Sequence, residues 1–165
     1  MNKKSFRLEL KQIGDTGEFT GYAAVFGNED LQGDVIEPGA FKRTIDHSGG
    51  RIPILWQHSS YEPIGIGIEM QEDQTGLQVK AALNLDTIRG REAYSLLKQG
   101  ALKGLSIGYD VVKDSWDNGK RILKELKLWE YSLVTFPANP LAQISNVKSV
   151  DKQEIEKTIK TLQAL

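Results

Sequence analysis

Three short apolar runs, Arg51 to Gln57 (RIPILWQ), Ile64 to Met70 (IGIGIEM) and Gly76 to Leu83 (GLQVKAAL), follow one another with turn residues at their boundaries. Runs of this length, rich in β-branched and aliphatic residues, read as strands. The same pattern extends to both sides. Phe6, Leu8 and Leu10 alternate with Arg7, Glu9 and Lys11, and Glu18 to Phe26 continues with β-formers after a flexible Ile13 to Gly17 loop, so these two segments read as a hairpin. Later, Leu105 to Val112, Arg121 to Leu128 and Trp129 to Phe136 read as strands, the first two joined by the turn-rich Asp114 to Gly119 segment. Pro137 and Pro140 then halt regular pairing. The expected fold class is mainly β with helices (α+β), built on an antiparallel body.

Helical signals are fewer. Pro38 is placed to open a short helix ending near Ile45. Asp86 is placed to cap a helix over Thr87 to Gln99, with Ile88, Ala93, Leu96 and Leu97 near one face and Gly100 at its end. Asp151 to Leu165 begins with the capping-box pair Asp151 and Glu154 and repeats Ile155, Ile159 and Leu162, an amphipathic helix whose stripe docks on the body, forms a dimer seam or meets a partner. Without internal repeats or a low-complexity linker, the 165 residues divide into one domain over 1–148 and the C-terminal helix over 149–165.

Composition narrows the chemistry. A net charge of -1, from 21 Lys and Arg against 22 Asp and Glu, gives no basic excess for a nucleic-acid backbone or an anionic membrane. No apolar stretch approaches the roughly 20 residues of a membrane span, and the charged N-terminal MNKKSFRLELK has no apolar signal core, so a soluble cytosolic protein is expected. With no cysteine, a thiolate nucleophile, a disulfide scaffold and a cysteine-bound metal are excluded. Oxygen and imidazole must do the work, and neither a cofactor nor a metal is expected.

Only two imidazoles exist. His47 lies in the polar segment Asp46-His-Ser-Gly-Gly50 and reads as a solvated loop residue. His58 ends the run RIPILWQH, where a strand would hold its ring at an edge with one face open; it reads either as a structural histidine or as a general base. Ser106, in Lys103-Gly-Leu-Ser-Ile-Gly-Tyr109, has glycines two residues away on each side, which would let a substrate backbone approach its hydroxyl. This G-x-S-x-G is not a nucleophile elbow, which needs a following helix and a later histidine; a strand follows here and both histidines precede. A strand serine is the alternative. Glu130 is the carboxylate chosen to orient an imidazole, because alternation sets it with Ser132 and Val134 on one face and Trp129, Tyr131 and Leu133 on the other; a surface carboxylate at a strand edge is the alternative. The acids Glu29, Asp30, Asp34 and Glu37 lack the regular spacing of a calcium loop and read as turn residues.

Together, the blocks GYAAVFGN (21–28), GDVIEPGAF (33–41), LWQH (55–58), PIG (63–65), GLSIGY (104–109) and EYSLVTFPAN (130–139), in this order, resemble the prohead (capsid maturation) proteases of tailed bacteriophages over roughly residues 6 to 148. That family is related to the herpesvirus assemblins, so the resemblance implies a closed antiparallel β-barrel surrounded by a few helices. It also implies a serine endopeptidase in which His58 is the general base, Ser106 the nucleophile and Glu130 the third member. The implied partners are the major capsid protein precursor and the scaffold, inside the assembling prohead in the bacterial cytoplasm, with a homodimer by analogy. Backbone N–H groups of the 135–140 loop, with Asn139, are the expected oxyanion donors. The rival readings are a catalytically inactive capsid-assembly binding module and an unrelated hydrolase of small esters.

Overall fold

The computed structural model describes residues 16–148 and 152–163. The alternation at Phe6 to Lys11 and most of the loop after it lie outside this range. The architecture is α+β, dominated by one eight-stranded sheet among the described residues. β1 (Glu18–Val25) pairs antiparallel with β5 (Gly76–Leu83), and β5 with β4 (Ser59–Glu72), which turns back onto β3 (Pro53–Trp56). β3 then pairs with β7 (Lys120–Val134) in parallel, as does the short β2 (Asp34–Ile36) along the earlier part of the same edge. The other edge of β7 pairs antiparallel with β6 (Gly104–Asp117) from end to end.

The body is therefore mixed, where alternation led us to expect an antiparallel one, and the expected closed barrel is not formed. The strand path ends at β2 on one side and at β8 (Ile144–Val147), paired with β1, on the other. Between β6 and β8 there is an isolated bridge, Gly104 to Gln143, with hydrogen bonds from Leu105 N–H to the Ala142 carbonyl and from Ile144 N–H to the Lys103 carbonyl. Two features of the chain prevent more. β8 has only four residues, following a segment broken by Pro137 and Pro140, and the far half of β6 pairs with the early part of β7, whose other edge carries β2.

β6 and β7 are joined at Asn118-Gly119, both with positive φ, so the Asn-Gly pair serves a tight hairpin and strand pairing persists to Asp117 and Lys120. What reads in sequence as two strands, Arg121 to Leu128 and Trp129 to Phe136, is one long strand. Alternation fails within it because residues 130–134 are buried on both faces while Trp129 is half-exposed.

Core packing follows the period of two where one face is wet. In β5, Leu77, Val79, Ala81 and Leu83 are buried, meeting Phe19 of β1 and Ile54, Ile64 and Leu105 from the neighbouring strands. α2 (Ile88–Gln99) lays Ala93, Tyr94 and Leu97 on this core, while Ile88 is exposed. Its cap is Thr87, whose hydroxyl accepts from Gly90 N–H, one residue after the expected Asp86; Gly100 ends it in the left-handed conformation as expected.

α1 (Lys42–Ser48) starts later than Pro38 suggests. The Glu72 carboxylate, from the end of β4, accepts the N–H groups of Gly39 and Phe41 at 2.8 Å each, holding 38–41 as turns and fixing Phe41 in the core. His47 is in this helix, its Nδ1 2.7 Å from the Arg43 carbonyl, rather than in a loop. α3 (Lys152–Gln163) is helical as expected; Asp151 lies outside the described residues, and Ile159 and Leu162 are 47% and 65% exposed, so this part of the stripe does not dock on the sheet. Replacing Glu72 by Ala orphans two backbone donors, one of them on a fully buried residue, and is expected to lower stability by about 2–3 kcal/mol in urea unfolding.

Candidate active site

The site begins with a turn that most sequences would avoid. Trp56 of β3 pairs with Ser59 of β4, so Gln57 and His58 alone make the hairpin connection, with φ of 49° and 60°. Positive φ at both central positions is the type I′ arrangement, normally supplied by Asn and Gly. Here the cost is met by contacts to β7. Gln57 N–H donates to the Leu133 carbonyl, the Gln57 side-chain amide donates to Thr135 Oγ1 at 2.9 Å, and His58 N–H donates to Ser132 Oγ at 3.1 Å. A strained turn over-determined by its surroundings is a common mark of a functional position.

The turn brings the imidazole onto β7. His58 Nδ1 lies 2.6 Å from Glu130 Oε1, and the other oxygen, Oε2, accepts from Ser132 Oγ at 2.6 Å. An ionised carboxylate only accepts, so in this pair Nδ1 carries the proton and Nε2 is left as the acceptor. The His58 side chain is 43% exposed while Glu130 is buried, giving an imidazole with one end anchored inside and the other reaching solvent.

Ser106 reaches the same place from β6. It pairs with Ser132 across the β6/β7 ladder, and Gly108 pairs with Glu130. A Cβ at Gly108 would overlap Glu130 Oε1 and crowd its Cδ and Cγ. The second glycine of G-x-S-x-G therefore makes room for the carboxylate, whereas the sequence suggested room for a substrate; a Cβ at Gly104 would meet the Val134 carbonyl and Pro137. Ser106 and His58 line one cleft of about 310 Å³, together with Asn28, Leu31, Asp34, Tyr109 and residues 136–139. Among the described residues no hydrogen bond joins Ser106 Oγ to His58.

The cleft walls are cross-linked. Asn139 Nδ2 donates to Asn28 Oδ1 at 3.1 Å and Asn28 Nδ2 returns the bond at 3.0 Å, tying the loop after β1 to the loop after β7. The Asn139 amide, expected among the oxyanion donors, is thus engaged in holding the two loops together. Asp30 Oδ1 accepts the N–H groups of Gln32 and Asp34, the use of a turn acid. Asp34 itself is buried in the cleft wall; desolvation, then the Asp30 charge, lifts its carboxyl above its ordinary value against the opposing pull of Arg121. Burial and then Asp34 push the Tyr109 phenol up to about 12.

Of the three residues singled out in sequence, His58 and Ser106 therefore line one cleft, and Glu130 lies behind it in direct contact with His58. His47 lines a different cavity, beside β7 and Arg43. Ser132 and Gly108 are the participants that sequence reasoning passed over, although alternation had put Ser132 on the Glu130 face and Gly108 was read only as a neighbour of the serine.

A family model described as Caudovirus prohead serine protease matches residues 5–160. The chain belongs to this family. It is 37% identical over 149 residues to a prohead protease of Enterobacteria phage HK97, covering 87% of this chain and 66% of that protein. A prohead protease of Escherichia phage T5 is 29% identical over 142 residues, covering 84% of this chain and 67% of the relative. A capsid polyprotein of Pseudomonas phage PAJU2 is 34% identical over 165 residues, covering 93% of this chain and 23% of the polyprotein. The chain thus spans about two thirds of the two prohead proteases and under a quarter of the polyprotein. Among solved structures it is similar to KSHV protease in complex with a hexapeptide phosphonate inhibitor (TM-score 0.53, 12% identity) and to varicella-zoster virus protease (TM-score 0.50, 13% identity), each covering 90% of this chain and 76% of the other. At that identity the likeness is one of fold, and it agrees with a mostly-sheet α+β domain of herpesvirus-protease type.

Two outcomes are expected for this caudovirus prohead serine protease family member. Gly108→Ala should push the Glu130 carboxylate off Nδ1, so that a downfield His58 Nδ1–H proton resonance present in the wild type disappears while the fold is retained. Asp34→Asn removes a group whose raised folded-state pKa makes stability fall as pH rises through the window above the ordinary carboxylate value. The variant should therefore gain in urea midpoint over wild type at neutral pH, with the gain vanishing near about pH 3, where the carboxyl is protonated folded and unfolded alike.

Proposed function

We propose that the chain is a serine endopeptidase of capsid maturation in which Ser106 is the nucleophile, His58 the general base and Glu130 the orienting acid. The observation that carries this reading is the 2.6 Å contact between His58 Nδ1 and Glu130 Oε1 at the rim of the cleft that also holds Ser106. With Nδ1 engaged, Nε2 takes the proton as Ser106 Oγ attacks the scissile carbonyl, and the buried carboxylate offsets the charge of the imidazolium. Backbone N–H groups of the 135–140 loop, whose residues 136–139 line the cleft, receive the oxyanion. Collapse of the tetrahedral intermediate expels the amine, which takes the proton from His58. Water then releases the acyl group by the same sequence in reverse, restoring Ser106.

The substrates are the major capsid protein precursor and the scaffold, cut inside the assembling prohead. Family membership and the similarity to part of a capsid polyprotein support this substrate class. Confinement within a shell supplies a high local concentration, so tight substrate binding is not required of the cleft.

The reading is tested by co-expressing the chain with a capsid precursor of the same phage and weighing every product intact. Wild type is expected to trim the precursor, Ser106→Ala and His58→Ala to leave it whole, and Glu130→Gln to slow trimming by on the order of a hundredfold or more. Equal trimming by wild type and Ser106→Ala overturns the assignment. Particles that assemble with untrimmed precursor in every case favour a binding module instead.

A further inference from the structure

We propose that Ser132 is a positioning residue of this site, its one hydroxyl setting the Glu130 carboxylate and the His58 main chain in a single geometry. The inference rests on the roles assigned above to Ser106, His58 and Glu130. Ser132 is wholly buried. Its Oγ donates to Glu130 Oε2 at 2.6 Å and accepts from His58 N–H at 3.1 Å. One atom is thereby bonded to the side chain of the acid and to the backbone of the base.

Both bonds bear on the imidazole. Glu130 Oε1 is held by His58 and Oε2 by Ser132, so the plane of the carboxylate is fixed from both ends. Without the hydroxyl, Oε2 faces a buried strand with no other hydrogen-bond partner among the described residues, and a desolvated carboxylate oxygen left unpaired would rotate to find one. That rotation takes Oε1 away from Nδ1. The second bond holds His58 at its φ of 60°, a conformation the residue does not favour unaided.

Ser132 faces its cross-strand partner Ser106 in the β6/β7 ladder and Leu55 in the β3/β7 ladder, so it stands where the three strands carrying the site meet. It is nevertheless not a second nucleophile. The cleft is lined by Ser106 and His58 and not by Ser132, whose hydroxyl has its proton committed to Glu130.

A fluorophosphonate probe tests this on the full chain, because Ser106 Oγ displaces fluoride from phosphorus whatever the natural substrate is, and saturation separates the maximal labelling rate (kinact) from probe binding (KI). Ser132→Ala is expected to lose about ten- to a hundredfold in kinact with KI within about twofold, and Ser132→Thr, which keeps the hydroxyl, to recover most of the rate. In a Glu130→Ala background, Ser132→Ala is expected to cost clearly less than in the wild type, since one of its two bonds acts through the carboxylate. A folded Ser132→Ala with wild-type kinact, or losses that multiply independently in the double variant, overturns the proposal. If Ser132→Ala does not fold, Ser132→Cys, close in size with a weaker donor, is judged by the same criteria. Wild type that is not labelled at Ser106 overturns the underlying triad, and this inference with it; labelled wild type with an unimpaired Ser132 variant overturns this inference alone.

Discussion

A carboxylate inside a sheet is the condition to which the rest of this structure answers. Glu130 occupies a run of β7 buried on both faces, and removing an ionised group from water costs several kcal/mol unless its oxygens are bonded. Both are, to His58 and to Ser132. The space for the head group comes from the strand opposite, where Gly108 has no side chain to contest it. A residue type on β6, a hydroxyl on β7 and a turn between β3 and β4 are thus all consequences of one buried charge.

The parallel pairing of β3 with β7 matters for the same reason. It sets the end of β3 beside Ser132 and Leu133, and the chain then reverses in two residues. A longer connection would have left the imidazole on a flexible loop; this one carries His58 on a turn held through Gln57, Leu133 and Thr135. Rigid placement of an imidazole with one nitrogen anchored is the arrangement that the general-base role proposed for His58 requires.

Sequence alone was informative where one physical rule dominated. A short apolar run bounded by turn residues located β5, and the end of α2 was legible from Gly100. It was less informative where distant parts of the chain decide. Gln57-His58 lacks the Asn or Gly of a type I′ turn, so the hairpin and the early start of β4 at Ser59 were invisible until the bonds to β7 were seen. The start of α1 is displaced by Glu72, some thirty residues downstream. β7 seemed to be two strands because a strand covered on both faces loses its period of two. The open edge between β6 and β8 depends on how far each strand runs, which local pattern does not encode. At the site, family resemblance singled out His58, Ser106 and Glu130, while the mutual support of Ser132, Gly108 and Glu130 emerged only from the register.

That register also orders events in time. His58 comes from the first half of the chain, yet the hydrogen bonds described for it and for the Gln57 side chain lead to residues 130–135, and β3 pairs with a strand some seventy-five positions later. Such long-range pairing forms late in folding. A chain emerging from the ribosome carries His58 and Ser106 before it carries Glu130, so the contact between His58 and Glu130 forms only when the strand through Val134 has been made and inserted. The topology itself ties completion of the site to the making of β7, the strand that pairs with both β3 and β6.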